Sequence, residues 1–149
     1  MQATREIADL KSIQDKVVAK RFVDALADLG CEVITLSGGE PLMHPDFVAI
    51  CRTVLDHSDQ NHLVILTNGL LIDTRWQDLV QFPLERLHLQ ISLDGDRAAH
   101  DALRGAGSYD RLVKALARIG ERGIDTNLAM AVSLGMLGQL SRVLIAGLT

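Results

Sequence analysis

The chain has 149 residues, 48% of them hydrophobic and 23% charged, a balance that fits one globular domain and excludes disordered and collagen-like chains. Fifteen Lys and Arg against 19 Asp and Glu leave a net charge of −4 with no basic tract, so nucleic acid is not an expected partner. No apolar run reaches the roughly 18 residues of a membrane span, and the first residues lack the apolar stretch of a signal peptide, so a cytoplasmic protein is expected.

The apolar positions Val17, Val18, Phe22, Ala25, Leu26 and Leu29 recur at helical spacing, which predicts a helix over Asp15–Leu29 closed by Gly30. Cys31–Leu36 is short and β-branched and runs into Ser37-Gly38-Gly39, a buried strand ending in a tight turn. A second helix starts near Pro45 and buries Phe47, Val48, Ile50, Cys51, Val54 and Leu55. Leu63–Leu66 is the next strand, stopped by Thr67-Asn68-Gly69, and Asp73–Phe82 the next helix, ended by Pro83. Along Arg86–Leu93, Leu87, Leu89, Ile91 and Leu93 face one way and His88, Gln90 and Ser92 the other. A central strand of a doubly covered sheet is apolar on both faces, so this pattern points to a barrel-like sheet with a polar inner face. Ser108 is placed to cap a helix carrying Leu112, Val113, Leu116 and Ile119 and closed by Gly120 and Gly123. Asn127–Ser133 then reads as a strand and Met136–Ala146 as a helix.

Strict alternation of helix and strand implies an α/β fold with parallel strands and right-handed crossovers. Four strands cannot close a barrel, and a full eight-fold barrel takes about 250 residues. The first predicted element is a helix with no strand before it and the last is a helix with no strand after it. The expectation is therefore a partial TIM-like barrel of about four parallel strands alternating with five helices, truncated at both ends, with residues 1–149 forming one incomplete domain and no second one. The edges of Cys31–Leu36 and Asn127–Ser133 would then lie open to association with another chain.

Chemistry in parallel α/β folds gathers at the carboxyl ends of the strands. The first of these ends, Ser37-Gly38-Gly39-Glu40-Pro41, offers exposed backbone polar groups and a carboxylate, which suits a cationic amine better than a phosphate; it reads equally as a turn whose glycines serve conformation. Thr67 and Asn68 carry groups suited to ribose hydroxyls or a carboxylate, although Asn68-Gly69 is also a common turn dipeptide. Ser92 closes the polar face of its strand, as pocket ligand or as turn cap. His88 lies on the same face as Gln90 and reads as a polar lining residue, with substrate contact as the alternative, since nothing near it in sequence would activate it. The five histidines form no metal-like pair. Cys31 and Cys51 form neither a disulfide framework nor a metal knuckle and read as buried free thiols.

Three motifs in order carry a resemblance. Val33–Leu42, with Gly38-Gly39-Glu40-Pro41, resembles the second strand and Gly-Gly-Glu-Pro motif of the radical S-adenosylmethionine (SAM) enzymes. Leu66-Thr67-Asn68-Gly69 is similar to their third-strand Thr-Asn-Gly, and Ile91–Gly95 with His100-Asp101, Leu103-Arg104-Gly105 and Gly107–Asp110 resembles the fourth strand and next helix of the branch with peptide-modifying and cofactor-maturing members. The resemblance implies that Gly38, Gly39 and Glu40 hold the methionyl amino group, with Pro41 shaping the turn. It implies that Thr67, Asn68 and Ser92 contact ribose or carboxylate. Arg104 falls where related members present an arginine to the carboxylate, or is a solvated arginine of the helix. The implied cofactors are SAM and a [4Fe-4S] cluster that cleaves it to a 5′-deoxyadenosyl radical for hydrogen abstraction, with a peptide or cofactor precursor as the implied substrate. The family's Cys-x3-Cys-x2-Cys loop is absent from this sequence, and neither Cys31 nor Cys51 matches its spacing or place. Enzymatic activity of the chain alone is therefore not expected, and the competing reading is a cluster-free descendant that binds an amine ligand or serves as a scaffold.

Overall fold

A computed structural model describes residues 5–9 and 16–130. These form one sheet of five parallel strands in the order β1-β2-β3-β4-β5, namely β1 (Arg5–Asp9), β2 (Val33–Ser37), β3 (His62–Thr67), β4 (Leu87–Ser92) and β5 (Asp125–Ala129). Helices α1 (Lys16–Asp28), α2 (Phe47–His57), α3 (Trp76–Val80), α4 (Arg97–Arg104) and α5 (Ser108–Arg122) lie between them. Strands that follow each other in sequence and in space, joined by crossovers of one hand, collect their helices on one face. That is the winding of a barrel, and among the described residues the sheet remains open, with β1 and β5 as its edges.

The helix-facing side of the sheet is the core. Ile34, Leu36, Leu63, Ile65, Leu87, Leu89 and Ile91 are each at most 2% exposed and pack against Val23, Leu26, Phe47, Ile50, Val54, Leu112 and Ile119 from the helices. Strand β4 shows the alternation in its burial, with Leu87, Leu89 and Ile91 buried and His88, Gln90 and Ser92 half-buried on the opposite face. The opposite face is thus polar by sequence and available to line a site.

Several expectations are corrected. The sheet has five strands rather than four, because Arg5–Asp9 pairs with β2 from Arg5 opposite Val33 to Asp9 opposite Ser37. The helix α1 therefore follows a strand, and β2 is an interior strand, not an open edge. The third helix is five residues long, not ten: residues 70–75 run as turns and only Trp76–Val80 is helical. The second helix, expected near Pro45, starts at Phe47, and a separate 3-10 turn, Pro41–Met43, precedes it. A helix not predicted separately, α4, precedes α5. Ser108 is the first residue of α5 rather than its cap: the Asp101 carboxylate accepts from the backbone N–H of Gly107 and Tyr109 and from the Ser108 hydroxyl, doing for the orphan donors what a cap residue does. The fifth strand spans Asp125–Ala129; residues 131–133 of its predicted range, and the predicted helix Met136–Ala146, lie outside the described residues. No described helix is long and apolar enough to cross a membrane.

Candidate functional site

The carboxyl ends of β2, β3 and β4 meet in one cleft of about 300 Å³, lined by Ser37, Gly38, Gly39, Glu40, Leu66, Thr67, Asn68, Gln90, Ser92 and Arg104. Of the residues that the resemblance assigns to the site, all but Pro41 line it; Pro41 is buried at the start of the 3-10 turn, and His88 lies outside the lining. Sequence reasoning did not assign Ser37, Leu66 or Gln90 to the site, although Gln90 shares the polar face of β4 with Ser92.

Glu40 organises the rim. Its Oε1 accepts from the Thr67 hydroxyl at 2.6 Å and from the Leu42 backbone N–H at 3.2 Å, and its Oε2 accepts from the Asn68 backbone N–H at 2.8 Å. The carboxylate thus clips the end of β2 to the end of β3. The Thr67 hydroxyl also accepts from the Gly69 N–H at 3.0 Å, and Asn68 Oδ1 accepts from the Leu70 N–H at 2.9 Å, closing an Asx turn. The hydroxyl of Thr67, which is 3% exposed, is therefore occupied within the protein, and its part in the site is to fix Glu40. Gly38 and Gly39 adopt φ +96° and +52°, a left-handed stretch that brings bare backbone to the rim. The turn beyond them is fastened from below, where Arg75 donates to the carbonyls of Leu42 at 2.9 Å and His44 at 3.3 Å.

Arg104 closes the far wall. Its Nε donates to Asp94 Oδ2 at 2.7 Å, and Asp94 is only 5% exposed. A buried carboxylate is tolerated when paired and hydrogen-bonded, and here it fixes one edge of the guanidinium. The Asp94 backbone N–H donates to His100 Nδ1 at 3.2 Å, so the proton of neutral His100 sits on Nε2. His100 is 1% exposed, stands edge-on to Tyr109, and its Nε2 has no hydrogen-bond partner among the described residues.

Burial is the main cause that lowers the pKa of His100 below 6.5. The unfolded chain then takes up a proton that the folded chain refuses, so stability is full above about pH 6.5 and falls as pH drops toward the folded value. Asp101 is held below its usual 3.8, first by the Tyr109 and Gly107 N–H groups, and its contribution is lost only at lower pH. Urea midpoints should therefore decline between roughly pH 7 and pH 5. His100→Gln, which keeps an acceptor for Asp94 and does not titrate, should flatten that decline.

The cluster's residues are not here. Iron–sulfur clusters are held by thiolates, and this chain has two cysteines, both buried on the helix side of the sheet at 3% and 0% exposure. Burial pushes the Cys51 thiol well above its ordinary range, the opposite of a ligand thiolate. Among the described residues no group of three His, Cys, Asp or Glu is placed to hold a metal. Residues 10–15, which separate β1 from α1 in sequence, contain no cysteine either.

Comparison with known proteins agrees with the fold and the motifs. The chain is 34% identical over 116 residues to the Fe-coproporphyrin III synthase of Methanosarcina barkeri, covering 76% of this chain and 28% of that protein. It is 33% identical over 116 residues to a probable GTP 3′,8-cyclase of Halobacterium salinarum (77% and 29%). It is 31% identical over 123 residues to the mycofactocin maturase MftC of Mycobacterium ulcerans (80% and 32%). The chain thus spans about a third or less of these relatives. The structure of native anSMEcpe with bound AdoMet superposes with a TM-score of 0.70 at 16% identity, over 89% of this chain and 40% of that one, a likeness of fold. The family uses SAM and a [4Fe-4S] cluster, and its model, Radical SAM superfamily, matches residues 8–140. With these residues matched, and with the three strand-end motifs in one cleft, the chain belongs to the radical SAM superfamily.

Proposed function

We propose that the cleft binds SAM and that the chain, with two core cysteines only, performs no radical chemistry unaided. The observation that carries this reading is that one cleft gathers a glycine-rich rim, a clipped carboxylate, the polar side chains of Asn68, Gln90 and Ser92, and an arginine. SAM carries an ammonium, a sulfonium, a carboxylate and a ribose diol. The Gly38 and Gly39 backbone and the Glu40 carboxylate take the ammonium, Arg104 the amino acid carboxylate, and Asn68, Gln90 and Ser92 the ribose hydroxyls. Negative rim and positive wall stand at opposite sides, as the charges of an amino acid require. Bound SAM supplies a sulfonium whose reductive cleavage needs an electron donor, and the residues described provide no ligands for one.

The names of the relatives, among them a mycofactocin maturase and a heme synthase, support a place in peptide or cofactor maturation for the protein. The anSMEcpe structure with AdoMet and the Kp18Cys peptide supports a peptide as the substrate class. The burial of Cys31 and Cys51 favours a second reading, a cluster-free domain retained for binding. The first reading requires the SAM site; the second requires only an amine ligand at Glu40 or a scaffold role. Titration calorimetry should give one SAM per chain, with affinity about tenfold weaker in Arg104→Ala and in Ser92→Ala. No heat with SAM from a chain that circular dichroism shows to be folded would reject the reading.

A further inference from the structure

Beyond the cleft, the polar face of the sheet continues toward the amino ends of the strands. Thr35, Val64, His88 and Asp125 stand in register across β2, β3, β4 and β5. Below Ser92 and Gln90, which line the cleft, His88 occupies the same face of β4. At about 3.3 Å per residue it lies roughly 13 Å from Ser92 along the strand and roughly 7 Å from Gln90. His88 Nδ1 is 2.8 Å from Asp125 Oδ2, a partner 37 residues away in sequence and adjacent only through the β4–β5 register.

A carboxylate only accepts, so Nδ1 carries the hydrogen in neutral His88, and Nε2 is left as an acceptor with no partner among the described residues. A carboxylate behind an imidazole fixes both the tautomer and the ring orientation. The imidazole side chain is 23% exposed and the Asp125 side chain 80%, so solvent and small ligands reach the pair. In register with His88 on β3 is the apolar Val64, and beside Asp125 on the same face is Asn127, opposite Gln90.

We infer that His88, oriented by Asp125, is the acceptor of a second subsite, contiguous with the cleft through Gln90, for a neutral molecule that offers an N–H or O–H donor. The carboxylate behind the ring disfavours anions there, and the lone pair requires a donor. An amide and a polyol share this chemistry, and the amide of a peptide is one source and a sugar hydroxyl the other. The subsite does not depend on SAM binding, which reads the opposite end of the face.

The test is a long-range 1H–15N spectrum of the histidine side chains in the intact chain at about pH 8, titrated separately with acetylglycinamide, ribitol and sodium acetate. The spectrum should show His88 protonated at Nδ1. Its Nε2 signal should move saturably with acetylglycinamide or with ribitol, which tells the two sources apart, and not with acetate. In Asp125→Ala the ring is free to place its proton on Nε2, so the affinity for the active probe should fall about tenfold. Asp125→Asn, which still accepts from Nδ1, should restore part of it. Unchanged SAM binding and unchanged His100 signals in both variants establish that they are folded. If neither neutral probe moves Nε2, or acetate moves it as far, or Asp125→Ala leaves the affinity unaltered, the subsite is rejected while the SAM reading stands on its own titration.

Discussion

Glu40→Ala should destabilise the chain by roughly 2–4 kcal/mol and weaken SAM binding by roughly a hundredfold. Three donors lose their acceptor at once, the Thr67 hydroxyl and the N–H groups of Leu42 and Asn68. Thr67 is buried, and a buried donor left without a partner bears its full desolvation penalty. The ends of β2 and β3 lose their clip, so the rim proposed to meet the ammonium loosens together with its charge. Glu40→Gln separates these effects. The one remaining carbonyl oxygen of the amide serves the Thr67 side or the Asn68 side but not both, since the amide nitrogen is itself a donor. This second variant should therefore recover part of the stability while SAM affinity remains low for want of the charge. Urea denaturation and calorimetry on the two variants check both statements.

Gly69→Ala should be destabilising by roughly 2–5 kcal/mol, from left-handed strain and overpacking together. Gly69 adopts φ +78°, and a Cβ there would lie 2.5 Å from Leu112 Cδ1 and 3.2 Å from Ile91 Cγ2. Both neighbours are wholly buried, so neither can swing aside freely. The Gly69 N–H also donates to the Thr67 hydroxyl, and a shifted backbone disturbs the Glu40 clip. Gly123→Ala is the control: its φ is +72° in the left-handed region with nothing within 4 Å of the added Cβ, so only the strain of about 1–2 kcal/mol applies. Shortening the obstacle with Leu112→Val in the Gly69→Ala background should regain part of the loss if the clash matters. Thermal and urea melts of these variants decide it.

The interior strands were legible because their patterns are local. Val33–Leu36 and Leu63–Leu66 are β-branched apolar runs ended by glycine turns, and the alternation along Leu87–Ser92 gave both the strand and its polar face. Strand β1 was not legible, because Arg5-Glu6-Ile7-Ala8-Asp9 mixes charge with few apolar positions and is made a strand by pairing with β2. The cleft was legible through its glycines and small polar residues at strand ends. The internal use of Glu40 by Thr67 and Asn68 was not, since it depends on how β2 and β3 lie side by side. The same holds for Asp94 behind Arg104, separated by ten residues, and for Asp125 behind His88, separated by 37. Sequence reasoning found nothing near His88 to activate it; register supplied the partner. Asp101 was missed as the clamp of α5 because a cap is sought next to the helix start, and this carboxylate reaches it from the helix before.

Asp24 and Asp125 join Asp101 among the carboxylates held below 3.8, the first chiefly by Lys20 and the second chiefly by the His88 hydrogen bond. All three favour the folded chain above that pH and lose their contribution below it. The acid limb should therefore have two parts, the His100 decline and, lower, the carboxylates.

A cleft lined by Glu40, the glycine rim and Arg104, which we propose takes SAM, thus stands in a chain whose two cysteines are sealed in the core. The most direct measurement is the SAM dissociation constant by calorimetry before and after anaerobic treatment with iron and sulfide. The expected result is binding of one SAM per chain with the same constant in both samples and no stoichiometric iron retained. Absence of binding before treatment, or four irons per chain with affinity that rises on their incorporation, would contradict it.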